Sequence, residues 1–394
     1  MIVKQYKDML GAKSVIRETF MYGKKRAAEI GYENVFDYSL GNPSVATPQA
    51  FNDELIRLVQ TEEPINLHGY SPSLGNQEAR EAVAASLTKR FGLDYKADNI
   101  FMTSGCASSL AHAFRAVTEP GDVILTFAPF FPEYNPYVNL TGAKLEVVPA
   151  DYEAFQIDFA KFEEMLTEKV AAILINSPNN PCGTVYTRET LEKMAELLHT
   201  KEKEFGHDIY VISDEPYREI AFDGKEVPYM ASIYDKTITC YSFSKSLSLP
   251  GERIGYVAIA PTCPNAELLI DICGQISRGI GHNCPSSVIQ MALCKVLDQT
   301  SDLSVYETNM NILFDKLTEL GFSVVRPGGT FYMFPKALEE DANAFCMRAR
   351  EYDLLLVPGD TLGCPGYFRI SYCVDTEKVK RSLSAFEKLA ASYK

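Results

Sequence analysis

One lysine in this 394-residue sequence stands where an amine can do more than carry charge. Lys245 follows Ser242-Phe243-Ser244 directly behind an apolar run, and Arg253 comes eight residues later. An amine on a loop after a buried strand can attack carbonyls and carry protons, and two serines with an arginine can grip a phosphate. Four further clusters close apolar runs in the same way. Ser104-Gly105-Cys106-Ala107 offers backbone amides and small side chains at a helix start, where the dipole favours an anion. Pro129-Phe130-Phe131 offers an aromatic face, and Asn179-Asn180-Pro181-Cys182-Gly183 an amide. Asp214-Glu215-Pro216-Tyr217 adds a carboxylate and a phenol.

The elements that must position these groups are short apolar runs at residues 99–102, 123–127, 170–175, 209–212, 237–241 and 255–260. The runs are apolar throughout, so both faces should be covered, as in a largely parallel sheet between helices. In such a sheet, ligands bind outside the carboxyl ends of the strands, which is where the clusters fall. After Gly105, Leu110, Phe114 and Val117 recur at helical spacing. Residues 302–320 read as an amphipathic helix, and 322–334 and 367–373 as strands of a second unit on which the first forty residues pack. The fold class is therefore α/β. A large domain over residues 45–285 holds a doubly wound, mostly parallel sheet, and residues 1–44 with 286–394 form a smaller α+β domain.

Composition narrows the class further. Acidic residues outnumber basic ones by 52 to 38 and no basic run tracks a phosphate backbone, so nucleic acid is not expected as a partner. No apolar run reaches the length that spans a bilayer, and the first residues lack a signal core, so no membrane is expected and a cytoplasmic location is. The ten cysteines are scattered without a C-x-x-C pair or a Cys/His cluster, which predicts neither a metal site nor a disulfide framework.

An amine for an imine, a carboxylate for a ring nitrogen, an aromatic to stack on and a grip for an anion are what pyridoxal 5'-phosphate requires. From Gly41-Asn42-Pro43 to Arg369 the segments resemble, in order, those of the class I and II aminotransferases, fold-type I enzymes typified by aspartate aminotransferase. The closest piece runs from Ser242 through Ser244-Lys245 to Arg253. The resemblance implies that Lys245 forms the Schiff base and moves the proton, while Ser242, Ser244, Arg253 and the Gly105, Cys106 and Ala107 amides hold the phosphate. It further implies that Asp214 pairs with the pyridinium nitrogen, that Tyr217 and Asn180 reach the phenolate oxygen, and that Phe131 stacks on the ring, with Phe130 a competing candidate. Read from the residues alone, Asp214 could instead cap a helix, Tyr217 could pack, and Asn180 could mark an ordinary Asn-Pro turn, with or without a cis bond.

The substrate side follows from the same likeness. Arg369, in Tyr367-Phe368-Arg369-Ile370-Ser371, resembles the arginine that takes the α-carboxylate as two parallel hydrogen bonds, with Asn180 and the Gly41 backbone beside it. Tyr70 matches a tyrosine donated across a homodimer to the neighbour's phosphate. Arg278 has the spacing to Asn283 of the arginine that reads a distal carboxylate from the other subunit, which favours aspartate or glutamate as amino donor; the alternative is a cation at a helix end. The implied activity is transfer of an amino group from an amino acid to a 2-oxo acid. The same scaffold also carries C-S β-lyases and, outside enzymes, pyridoxal-phosphate sensors. The sensor needs a basic DNA-binding head, for which the first forty residues are too short.

Overall fold

A computed structural model describes residues 2–10 and 14–394. Met1 and residues 11–13, part of the stretch expected to join the smaller domain, lie outside the described residues. Seven strands make one sheet: β1 (Ile100–Thr103), β2 (Val123–Phe127), β3 (Lys144–Val148), β4 (Val170–Asn176), β5 (Tyr210–Asp214), β6 (Thr237–Ser242) and β7 (Gly255–Ile259). Their order across the sheet is β1-β7-β6-β5-β4-β2-β3. Every neighbouring pair is parallel except the two that involve β7. The reversed strand therefore begins at the edge where the others end. Arg253, just before it, arrives beside the turns that follow β1 and β6, because Gly255 pairs with both Thr103 and Ser242.

The apolar runs behave as a sheet covered on both faces requires. Leu125, Ile173 and Val211 join one buried cluster, while their neighbours Ile124, Leu174 and Ile212 join another on the opposite face. Each such side chain contributes roughly 1.5–3 kcal/mol by leaving water. A third cluster, with Tyr38, Phe322, Phe331, Met333, Phe345, Phe368 and Phe386, lies off the sheet. It is organised around β8 (Tyr332–Met333), β9 (Val357–Pro358) and β10 (Phe368–Ser371), in the order β9-β10-β8. The amino-terminal segment reaches it directly: Phe36 and Asp37 pair with Leu354 and Leu355, and Arg26 meets Asp353 at 2.7 Å.

One strand was not expected, and one expected strand is broken. Strand β3 had no forecast, because Lys144-Leu145-Glu146-Val147-Val148 is an edge strand whose residues run from exposed to buried, so it lacks the uninterrupted apolar run of a central strand. Residues 322–334 form no continuous strand; only Tyr332 and Met333 do. Pro327-Gly328-Gly329 interrupts the ladder, since proline brings no N–H and the glycines bend the chain against Gly183, whose carbonyl accepts from both their amides. The helix expected over 302–320 spans Ser304–Glu319.

Candidate active site

The chain turns that end β1, β2, β4, β5 and β6 converge with Arg253 at one edge of the sheet, and the off-sheet unit closes over them with Gly41 and Arg369. Lys245 lies on a one-turn helix, Phe243–Ser246, capped by the Ser242 hydroxyl, which accepts from the Ser244 amide at 3.2 Å. Ser242 and Ser244 also share a 2.7 Å hydroxyl contact. The Ser242 side chain thus helps to hold the lysine's own turn. The Lys245 ammonium donates to the Gly41 carbonyl at 2.6 Å and lies 5.3 Å from the Phe331 ring centroid. Burial, with the nearby Arg253 and Arg369 charges, brings its pKa down to about 8. A large share of the amine is then neutral and nucleophilic near pH 8.

Asp214 ends β5 and caps no helix. One carboxylate oxygen accepts from the Tyr134 hydroxyl at 2.5 Å and the other from the Cys106 thiol at 2.8 Å. Among the described residues no cation pairs with it, and burial pushes its pKa up to about 6 against the help of those two donors. Asn176, at the end of β4, ties this position to the next loop. Its side chain donates to the Asp214 carbonyl at 2.8 Å and accepts from the Asn180 amide at 2.7 Å. The Asn180-Pro181 bond is cis.

The anion grip has an unusual arrangement of charge. Gly105 has φ +84°, which glycine adopts at no steric cost, and it opens the helix Cys106–Val117. A Cβ there would come within 2.8 Å of the Arg253 guanidinium. The first amides of that helix have no partner in the helix itself, no side chain caps them, and its first turn holds no acidic residue. The exposed Arg253 guanidinium, which donates to the Pro250 and Ser104 carbonyls, thus lies beside the positive end of a helix, an arrangement that favours an anion between them. The Arg369 guanidinium is similarly incomplete. It is 2% exposed and donates to Asn180 Oδ1 at 3.0 Å and the Ser39 carbonyl at 2.7 Å, but among the described residues its Nε has no partner and no carboxylate faces it.

The remaining expected residues separate clearly. Phe131 is half-buried and edge-on to Tyr134 at 5.6 Å, whereas Phe130 is buried against the Gly363 backbone. The Tyr217 hydroxyl lies 3.2 Å from that of Tyr332. Ala107 follows Cys106 in the first turn of its helix. Tyr70 is fully exposed on the loop before the helix Gln77–Phe91, and Arg278 is exposed in the last turn of Ala266–Ile280, bonded to Gln275 of that same helix. Within this one chain neither is brought to Lys245 by a hydrogen bond. The residues that sequence reasoning missed are Tyr134, Asn176, Ser39, Tyr332 and the thiol of Cys106. Asn176 alone left a signal, as the polar residue directly after an apolar run.

The donor set fits pyridoxal phosphate. It holds a buried carboxylate lacking a cation, a helix terminus and arginine lacking an anion, and an amine of lowered pKa among them. Comparison with known proteins agrees with this chemistry. The family model described as aminotransferase class I and II matches residues 33–386. A crystal structure of an amino transferase from Eubacterium rectale is 48% identical, covers 100% of this chain and 99% of its own, and superposes with a TM-score of 0.96. The aspartate aminotransferase of Thermotoga maritima gives 30% identity, 95% and 96% coverage and a TM-score of 0.86. Aromatic-amino-acid aminotransferase 2 of Thermococcus litoralis is 30% identical over 376 residues, 91% of this chain and 92% of that one. The chain therefore belongs to the class I and II aminotransferases, a pyridoxal-phosphate-dependent family, and is an aminotransferase of the aspartate aminotransferase-like kind.

Proposed function

We propose that this chain binds pyridoxal 5'-phosphate through Lys245 and moves an amino group from an amino acid, aspartate or glutamate by preference, to a 2-oxo acid. The observation that carries the reading is a pair of unneutralised buried charges, Asp214 and Arg369, set with the Lys245 amine between the sheet and the unit that covers it. When bound, the cofactor supplies the electron sink for the carbanion chemistry. The protein's share is binding, orientation and proton transfer. Asp214 would hold a proton on the ring nitrogen, and Phe131 would cover the ring face. Tyr217 and Asn180 would address the phenolate oxygen. The helix start at Gly105, Cys106 and Ala107, with Ser242, Ser244 and Arg253, would take the phosphate, Ser242 also capping the lysine's turn. Arg369 would take the substrate α-carboxylate with Asn180 and the Gly41 backbone, and Lys245 Nζ would carry the substrate proton.

In this reading residues 45–285 are the cofactor-binding domain, and residues 1–44 with 286–394 supply Gly41 and Arg369. Two chains form a homodimer in which Tyr70 reaches the partner's phosphate site and Arg278 reads the partner's distal carboxylate. Tyr70 is fully exposed and Arg278 lies on the surface, positions from which a second chain can be reached. The name of the Thermotoga relative supports an acidic amino donor; that of the Thermococcus relative points to aromatic ones, so the donor is decided by assay. Borohydride reduction of the cofactor-loaded protein followed by peptide mass mapping should fix the adduct on Lys245. An adduct elsewhere, or none, defeats the proposal. A panel of amino acids should then give the largest response with aspartate or glutamate, weakened in Arg278→Ala; equal responses in that variant remove the dicarboxylate preference and leave the transfer itself.

A further inference from the structure

A third phenol stands in the site with no role assigned so far. Tyr332, the first residue of β8, is 3% exposed, and its register opposite Ser371 carries it beside β10, the strand that bears Arg369. Its ring lies under the Arg369 guanidinium, 4.8 Å from centroid to Cζ. Its hydroxyl is 3.2 Å from that of Tyr217, and the two rings meet nearly at right angles. The same hydroxyl occupies the space where a side chain at position 41 would begin, since a Cβ on Gly41 would fall 1.8 Å from it. Gly41 is also the residue whose carbonyl receives the Lys245 ammonium. The turn that delivers Tyr332 is anchored locally: Thr330 has φ +64°, an uncommon conformation for a β-branched residue, and its hydroxyl accepts from the Tyr332 amide at 3.0 Å.

We propose that Tyr332 is a positioning residue that ties the carboxylate-binding arginine to the phenol facing the cofactor. This rests on the functional reading of Lys245, Tyr217 and Arg369 given above. The ring and the hydroxyl have separate tasks. The ring face stabilises the Arg369 charge, which among the described residues has no carboxylate to balance it. The hydroxyl bonds Tyr217, and the nearby guanidinium makes Tyr332 the better donor of the two. Tyr332 donating to Tyr217 leaves the Tyr217 proton free for an acceptor in the site and strengthens it as a donor. Glycine is required at position 41 because any side chain there would displace the hydroxyl from Tyr217.

Two variants separate the tasks. Tyr332→Phe keeps the ring and removes the hydroxyl. With the cofactor loaded, the pH midpoint of its visible absorbance should rise, because a weaker Tyr217 donor stabilises the phenolate less. KM for the amino donor should stay within about twofold, and cofactor-free protein should bind succinate and 3-phenylpropionate, two carboxylates without an amino group, as before. Tyr332→Leu removes the ring as well. It should weaken carboxylate binding to the cofactor-free protein about five- to tenfold by calorimetry, with a matching rise in KM, the range of one partly desolvated cation–π contact. An unmoved midpoint in Tyr332→Phe, or carboxylate binding that is unchanged in Tyr332→Leu or absent from the unaltered protein, overturns the proposal. Should Tyr332→Leu fail to fold, the midpoint in Tyr332→Phe decides alone. Borohydride fixation on Lys245 of the unaltered chain is read first. Its failure removes the functional reading, whereas fixation followed by a null result in the variants removes Tyr332 only.

Discussion

Asp214 and Glu215 are consecutive, both buried and both carboxylates, yet they sit in opposite electrostatic situations. Glu215 meets the buried Arg218 guanidinium at 2.6 Å and accepts from the Ser213 hydroxyl at 2.7 Å. That guanidinium in turn lies within 5.2 Å of the Phe91 and Tyr229 ring centroids and 4.6 Å of Tyr241. Asp214, one residue earlier, has among the described residues only a phenol and a thiol. Their surroundings distinguish a structural buried charge from one kept for a ligand. The first is closed by the fold itself, and the second is left in deficit at the edge where strands end.

Breaking the closed pair should produce the largest effect. Arg218→Met strands Glu215 in the interior and should cost about 3–5 kcal/mol, read as a lower urea midpoint of the cofactor-free protein. A loss below about 1 kcal/mol would show that Glu215 finds water or another partner, and the contrast with Asp214 would fall. Opening the other site inverts the pattern. Asp214→Asn should reduce transamination kcat/KM by about 10²–10³-fold, the size seen when one preorganised electrostatic partner is removed, with no loss of stability in the cofactor-free protein. Stability falling together with activity would make Asp214 a structural residue like its neighbour.

Acid titration sharpens the same comparison. The Asp214 pKa is raised to about 6 in the folded protein from 3.8. Between those values the folded state keeps a proton that the unfolded state has released, so this group's contribution to stability is lost as pH rises through the window, on the order of 2–3 kcal/mol in all. Denaturation of cofactor-free protein from pH 4 to 7 should show that decline, and the difference curve against Asp214→Asn isolates it. A flat difference curve means that the carboxylate is neutralised without cofactor. The smallest effect is expected from Tyr134→Phe, which removes one of the two donors on Asp214. One hydrogen bond to a carboxylate corresponds to roughly 1.5–3 kcal/mol at most and less where a second donor remains, so activity should fall about five- to tenfold. No change would assign the restraint of Asp214 to Cys106.

Much of this was legible in the sequence because it is local. Each central strand announces itself as an apolar run, since a strand covered on both faces tolerates little else, and each chemical group follows its run by one to five residues. Lys245, Asp214, Asn180 and Gly105 could be picked out on that ground. Arg369 could be picked out for the apolar residues on either side of it. The edge strand β3 stayed hidden because its half-solvated residues lack that mark, and the 322–334 segment misled because apolar residues flank a Pro-Gly-Gly break.

Partnerships that cross between elements came from long-range packing alone. Nothing in the chain text says that Tyr134 and Cys106 rather than a cation meet Asp214, that Asn176 joins two loops, or that Tyr332 lies beneath Arg369 with its hydroxyl on Tyr217. The physical reason is register. Side chains alternate along a strand, so two adjacent carboxylates on β5 and its following turn enter different surroundings according to how neighbouring strands and the covering unit are aligned. Residue type and spacing fix which groups are available; the long-range packing of the sheet against β8 and β10 fixes which of them are left unpaired, and so where a ligand is needed.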